Sequence, residues 1–138
     1  MADTVCVDSC LAIKWVFNEA LQDEAAELLS AWTNARIIVP ASFFLECASA
    51  AYHKLSSGKI TLAEAAAGLA FLERLGMEEA PPREVMLRTA ELAHQLRIHA
   101  WDTVYLAVSE QYGCEFWTVD RELHRKASRL FEWIRLLS

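Results

Sequence analysis

The chain has no long apolar run. Its longest stretch free of ionisable side chains is residues 37–45, far short of the ~20 that a membrane-crossing helix needs. Met1-Ala2-Asp3 carries an acid where an export signal carries basic residues, so a cytoplasmic protein is expected. Positive charge is scarce as well: 13 Lys and Arg against 19 Asp and Glu leave a net −6. That argues against gripping nucleic acid by overall charge, though not against a local basic surface. With only 4 Gly and 3 Pro, there is no flexible linker, low-complexity tract or repeat. Cysteine patterning is missing too. Cys6, Cys10, Cys47 and Cys114 lie mostly in apolar segments with no CxxC or HxxxH spacing, which reads as reduced packing thiols rather than disulfides or a zinc site. His53, His94, His99 and His124 lack ligand spacing and are expected at the surface.

What remains is an ordinary globular composition. At 138 residues, 54% hydrophobic and 23% charged, the chain is expected to form a single domain, 1–138, with a real core. Residues 4–8 read as a buried strand, and Ser9 starts a helix with Leu11, Ala12, Trp15 and Val16 as its apolar stripe. Asp23 to Trp32 is a second helix, with Ala25, Ala26, Leu28, Leu29 and Trp32 inward. Arg36–Val39 is a strand stopped by Pro40, and 41–56 a buried helix. Thr61-Leu62-Ala63-Glu64 is a capping box opening a helix that Gly76 closes. Met77–Ala80 is a short strand, and 83–97 a helix with Val85, Leu87, Ala90, Leu92, Ala93 and Leu96 as its apolar side. A helix over 102–112, a strand over 115–119, a helix over 121–130 and a strand over 132–137 follow. Alternating strands and helices predict an α/β fold: three layers, with a mostly parallel sheet of about five strands between helices.

Four carboxylates stand where apolar runs stop or break: Asp8, Glu46, Asp102 and Asp120. Singly, each Asp is also an ordinary helix cap, and Glu46 has Arg36 or Lys54 as a conceivable partner. Parallel strands share one carboxyl edge, where ligands bind. Asp8 and Asp120 belong to that edge, Asp102 opens a helix, and Glu46 has the reach to join them. Four such charges repel by roughly 4 kcal/mol per pair at ~4 Å. Hard divalent ions, Mg2+ or Mn2+, relieve this, and oxygen-only ligands select them over zinc or copper.

The pattern resembles the PIN-domain ribonucleases, most closely the VapC-type toxins of bacterial toxin–antitoxin pairs. The resemblance spans nearly the whole chain. It runs from Val7-Asp8-Ser9 and Leu11-Ala12-Ile13-Lys14-Trp15 through Glu46 in its small-residue helix. It continues with Asp102-Thr103-Val104-Tyr105-Leu106-Ala107 as D-x-x-Y-x-A, and ends with Thr118 to Leu123 plus Ala127 as T-x-D-x-x-L-x-x-x-A. It implies an acidic quartet of Asp8, Glu46, Asp102 and Asp120 holding Mg2+ or Mn2+, and RNA cleavage by metal-activated water. It also implies a homodimer held inactive by a cognate antitoxin. Thr118 and Ser9 are expected to support the quartet by hydrogen bonds. Cys10 stands where the family commonly has Ser or Asn, and Ser49 where Asn is frequent; neither change removes a ligand.

Lys14, Arg121 and Arg125 are candidate contacts to RNA phosphate, with snorkelling or a solvated basic face as the plainer readings. Trp15 and Trp101 lie beside proposed site residues in sequence and are expected to be packing residues. The alternative function is a non-catalytic PIN module serving as an RNA- or protein-binding scaffold. A phosphorylated receiver domain lacks its adjacent early acids here, and a haloacid-dehalogenase-type phosphatase lacks D-x-D, since residues 8–10 are Asp-Ser-Cys.

Overall fold

Strand β1 (Thr4–Val7) shows why its sequence is apolar throughout. Alternation along a strand sends Val5 and Val7 to one face and Cys6 to the other, and all three have 0% exposure. Both faces must therefore be covered. In the computed structural model, which describes residues 3–138, β1 is joined by β2 (Arg36–Pro40), β3 (Glu78–Ala80), β4 (Glu115–Thr118) and β5 (Ile134–Leu136). They form one sheet in the order β3-β2-β1-β4-β5, with every neighbouring pair parallel. Met1 and Ala2, which bear on the export-signal reading, lie outside the described residues.

Among the described residues, seven α-helices flank the sheet: α1 (Ser9–Ala12), α2 (Gln22–Ala31), α3 (Phe43–Ser56), α4 (Leu62–Arg74), α5 (Pro82–Leu96), α6 (Ala100–Tyr112) and α7 (Arg121–Ala127). Helix α6 lies against β2, β1 and β4 and buries Thr103 and Tyr105 through Ser109; α5 packs along it. Helices α1, α3 and α4 pack in series, and α7 covers β4 and β5. One core cluster results, with Tyr105, Phe43, Phe116 and Leu11 among its largest fully buried side chains. The three-layer α/β fold with a five-stranded sheet is as expected, and the sheet is wholly parallel.

Local chemistry explains several boundaries. The Thr61 hydroxyl accepts from the Glu64 amide at 3.1 Å while Glu64 accepts from the Thr61 amide at 3.0 Å, so the capping box forms as read. Helix α1 begins at Ser9, as read, with the Asp8 side chain as its cap, and tightens into a 3-10 turn over Ile13–Trp15. Ala26 faces solvent, as do Leu87 and Ala90, while Thr89 takes the inward position on α5. The inward stripe of α5 is thus narrower than its sequence pattern. Helix α7 stops at Ala127, three residues short of the expected end. No helix among the described residues is long and apolar enough to cross a membrane.

Candidate active site

Because all the strands run one way, their carboxyl ends share an edge, and Asp8 and Asp120 lie there. The Asp8 amide extends the β1–β4 ladder by donating to the Trp117 carbonyl at 2.9 Å. Asp8 as a whole is only 5% exposed. The Thr118 hydroxyl donates to Asp8 Oδ2 at 2.7 Å, and the Cys10 amide approaches Oδ1 at 3.4 Å. Thr118 Oγ1 also accepts from the Asp120 amide at 3.0 Å. One buried threonine therefore ties the first acid to the last. Asp120 in turn caps α7, its Oδ1 accepting from the Glu122 and Leu123 amides at 3.0 Å each.

Glu46 comes from α3, one turn from its start. Its Oε1 accepts from the Ser9 hydroxyl at 3.0 Å and from the Tyr105 hydroxyl at 2.6 Å. Neither expected cation reaches it: Arg36 pairs with Glu78, and Lys54 with Glu19 at 2.6 Å. The Tyr105 ring is fully buried and stacked on Phe116 with centroids 5.4 Å apart, so its hydroxyl is a rigid donor. Tyr105 stands within the D-x-x-Y-x-A pattern without an assigned role at the level of sequence. The missed signal is the i, i+3 spacing from Asp102, which puts both on one side of α6. Asp102 is half-buried in the first turn of α6, where the helix dipole favours an anion.

The acids feel one another. Burial pushes Asp8 up to about 6 against the lowering by Thr118 and the Cys10 amide, and the charges of Asp102 and Glu46 add to the rise. Asp102 is raised by burial, then by Asp120 and Glu46. Although part of Cys10 reaches solvent, desolvation around its thiol and the charges of Asp8, Asp120, Asp102 and Glu46 push it up to about 12. All four acids thus lie within electrostatic reach of Cys10. Among the described residues, none of the four forms an ion pair.

The convergence is looser than a ready-made ligand cage. Asp102 and Asp120 line a cavity of about 470 Å³ with Arg97, His99 and Lys126; Ser9, Cys10 and Glu46 line another of about 460 Å³. Among the described residues, no three His, Cys, Asp or Glu side chains are grouped closely enough to hold a metal ion as they stand. The reason is local: Asp8, Glu46 and Asp120 are each held by the protein donors named above, and like charges oppose closer approach. The donor set nevertheless fits a hard divalent ion. Mg2+ is commonly held by one or two carboxylates with water and substrate phosphate completing its shell, and among the described residues no cation forms an ion pair with these acids.

Of the candidate RNA contacts, Lys14 is committed elsewhere, its ammonium donating to the Ala20 carbonyl at 2.8 Å and pairing with Glu19 at 3.3 Å. Arg125 is forked onto Glu122, with Nε at 3.0 Å. Arg121 is exposed and has no ion pair among the described residues. Trp15 packs edge-on against Trp32 and donates to the Ala25 carbonyl, as a packing residue should. Trp101 does not: it is 70% exposed and lines an apolar groove with Leu45, Pro82 and Met86. His53, His94 and His99 are exposed as expected, but His124 is half-buried.

No curated protein matches this sequence. Among solved structures, the chain is similar to that titled "Crystal structure of PAE2754 from Pyrobaculum aerophilum", at a TM-score of 0.68 and 21% identity, covering 99% of this chain and 85% of that one. That likeness concerns the fold. The PIN domain model matches residues 5–129, a span that includes all four acids. PIN domains are generally metal-dependent nuclease modules that use divalent ions such as Mg2+. With strand ends, capping acids and family model in agreement, this chain belongs to the PIN domain family.

Proposed function

We propose that this chain is a Mg2+- or Mn2+-dependent endoribonuclease and the toxin of a type II toxin–antitoxin pair. One set of contacts supports the nuclease reading: Ser9 and Thr118 link Asp8 to Glu46 and Asp120 by hydrogen bonds, Asp102 shares a cavity with Asp120, and none of the four has an ion pair among the described residues. Asp8, Glu46, Asp102 and Asp120 would hold the ion. When bound, it neutralises the acids and the substrate phosphate and makes water more acidic. The protein's part is positional. Ser9 and Tyr105 occupy Glu46 Oε1 and leave Oε2 available, and Thr118 fixes Asp8 against Asp120. Asp102, on which the described residues place no side-chain hydrogen bond, is the carboxylate best able to accept a proton from attacking water.

The toxin assignment rests on the VapC-like motifs, which also motivate a cognate antitoxin and a homodimer. A second copy is our proposed occupant of the apolar groove beside Trp101, because Leu45, Met86 and Trp101 are all largely exposed there. Asp102→Asn and Asp120→Asn should remain folded and lose cleavage of single-stranded RNA by at least about 100-fold. Undiminished cleavage by either variant would overturn the nuclease reading, and a scaffold would bind RNA without cutting it. Induction of the chain alone should arrest growth and the Asp102→Asn variant should not; equal growth would remove the toxin assignment while leaving the nuclease.

A further inference from the structure

Three of the helix ends are followed by a left-handed glycine: Gly58 after α3 at φ 73°, Gly76 after α4 at φ 71°, and Gly113 after α6 at φ 61°. At the end of α5 the same conformation falls on Arg97, at φ 57° and ψ 46°. An L side chain there strains the backbone, and glycine would relieve it. The chain keeps a guanidinium at that place instead. Arg97 is exposed, has no ion pair among the described residues, and lines the same cavity as Asp102 and Asp120. Lys126 on α7 also lines that cavity, held only at 3.7 Å by Glu122.

We infer that Arg97, with Lys126, forms a backbone-phosphate subsite that seats single-stranded RNA beside the carboxylate edge. The inference rests on the nuclease reading and adds the residues that position the strand. Its logic is electrostatic. A chain of net −6 with four acids at its site repels a polyanion, so a nearby cation free of internal partners is needed to hold the strand. Lys14 and Arg125 have partners of their own, and Arg121 does not line the cavity, whereas Arg97 lines it, has no ion pair among the described residues, and carries a guanidinium fork that matches phosphate geometry. Arg97 is a positioning residue for substrate here, not a group acting on the reacting phosphorus.

Steady-state cleavage of a single-stranded RNA in Mg2+ tests this. Arg97→Gln should raise KM about 10-fold with kcat nearly unchanged, and should lower the steepness of log KM against log salt by about 0.7, the loss of one phosphate contact. Arg97→Gly should raise KM equally yet raise the melting temperature by about 2 °C, because the strained position is relieved. Arg74→Gln, which removes the same charge from the end of α4, should leave KM within about twofold. Unchanged KM and salt slope in Arg97→Gln, with an active wild type, would overturn the subsite and leave the nuclease standing. A wild type that cleaves no RNA would overturn both, and a fall in kcat alone would show a different role for Arg97.

Discussion

Glu46 illustrates how a single carboxylate is made useful at the residue scale. Its long side chain gains from immobilisation only if the donors that hold it are themselves fixed. Tyr105 meets that requirement, being buried and stacked on Phe116, and Ser9 provides a second donor to the same oxygen. Burial, followed by the charges of Asp8 and Glu46, pushes the Tyr105 phenol far above its ordinary value, so it remains a donor at any working pH. Tyr105→Phe should lower cleavage about 10-fold, the usual scale for removing a group that orients a ligand. It should cost about 1.5 kcal/mol in urea unfolding, as for a hydrogen bond to a charged acceptor. Full activity in this variant would show that Glu46 needs no clamp.

At the scale of elements, the close approach of α4 to the segment after α1 is set by Gly68. A Cβ there would lie 2.8 Å from Phe17 Cε1 and 3.3 Å from Val16 Cβ. Phe17 is buried, so its ring cannot swing into solvent. Alanine gains ~1 kcal/mol of helix propensity over glycine, but overpacking costs ~1–3 kcal/mol. Gly68→Ala should therefore lower stability by about 1 kcal/mol, seen as a reduced urea midpoint at constant m. An increase would mean that α4 can move away. The tie between β1 and β4 through Thr118 belongs to this scale too, since it sets the spacing of two strand ends rather than one side chain.

For the molecule as a whole, gathering acids at one edge makes stability depend on pH and on divalent ions. Asp8 rises from 3.8 to about 6 on folding, so between those values the folded state binds more protons than the unfolded chain. Stability is thus highest below about pH 4 as far as this group is concerned, and falls by about 3 kcal/mol as pH rises to about 6. In chelator, the stability of wild type minus that of Asp8→Asn should decline by this amount from about pH 4 to pH 7. A flat difference would refute the assignment to Asp8. Mg2+ should raise the melting temperature at pH 7 in the wild type, and less in Asp8→Asn. The proposal that a second copy covers the groove beside Trp101 belongs to this scale as well: Trp101→Glu should then shift sedimentation from dimer to monomer, and an unchanged coefficient would overturn that placement of the interface.

Much of this was legible in the sequence for local reasons. The apolar runs ending in Asp8 and Asp120 announce strand ends, and Thr61-x-x-Glu64 announces a helix start. Side-chain alternation and capping chemistry act over a few residues, and so does the helical period that placed most of α6. Where the reading strayed, the deciding neighbour was far away. Leu87 fits a helical stripe but lies outside the packed face of α5, and Lys14 looks free until Glu19 and the Ala20 carbonyl take its ammonium. Sequence by itself determined the parallel α/β architecture and where the four acids fall along the chain, because strand direction and chain breaks follow from local pattern. Only the tertiary structure decided that Thr118 reaches Asp8 across 110 positions, that Tyr105 rather than a cation holds Glu46, and that Arg97 lines one cavity with Asp102 and Asp120. Such pairings depend on how distant elements pack, and no short-range periodicity encodes them.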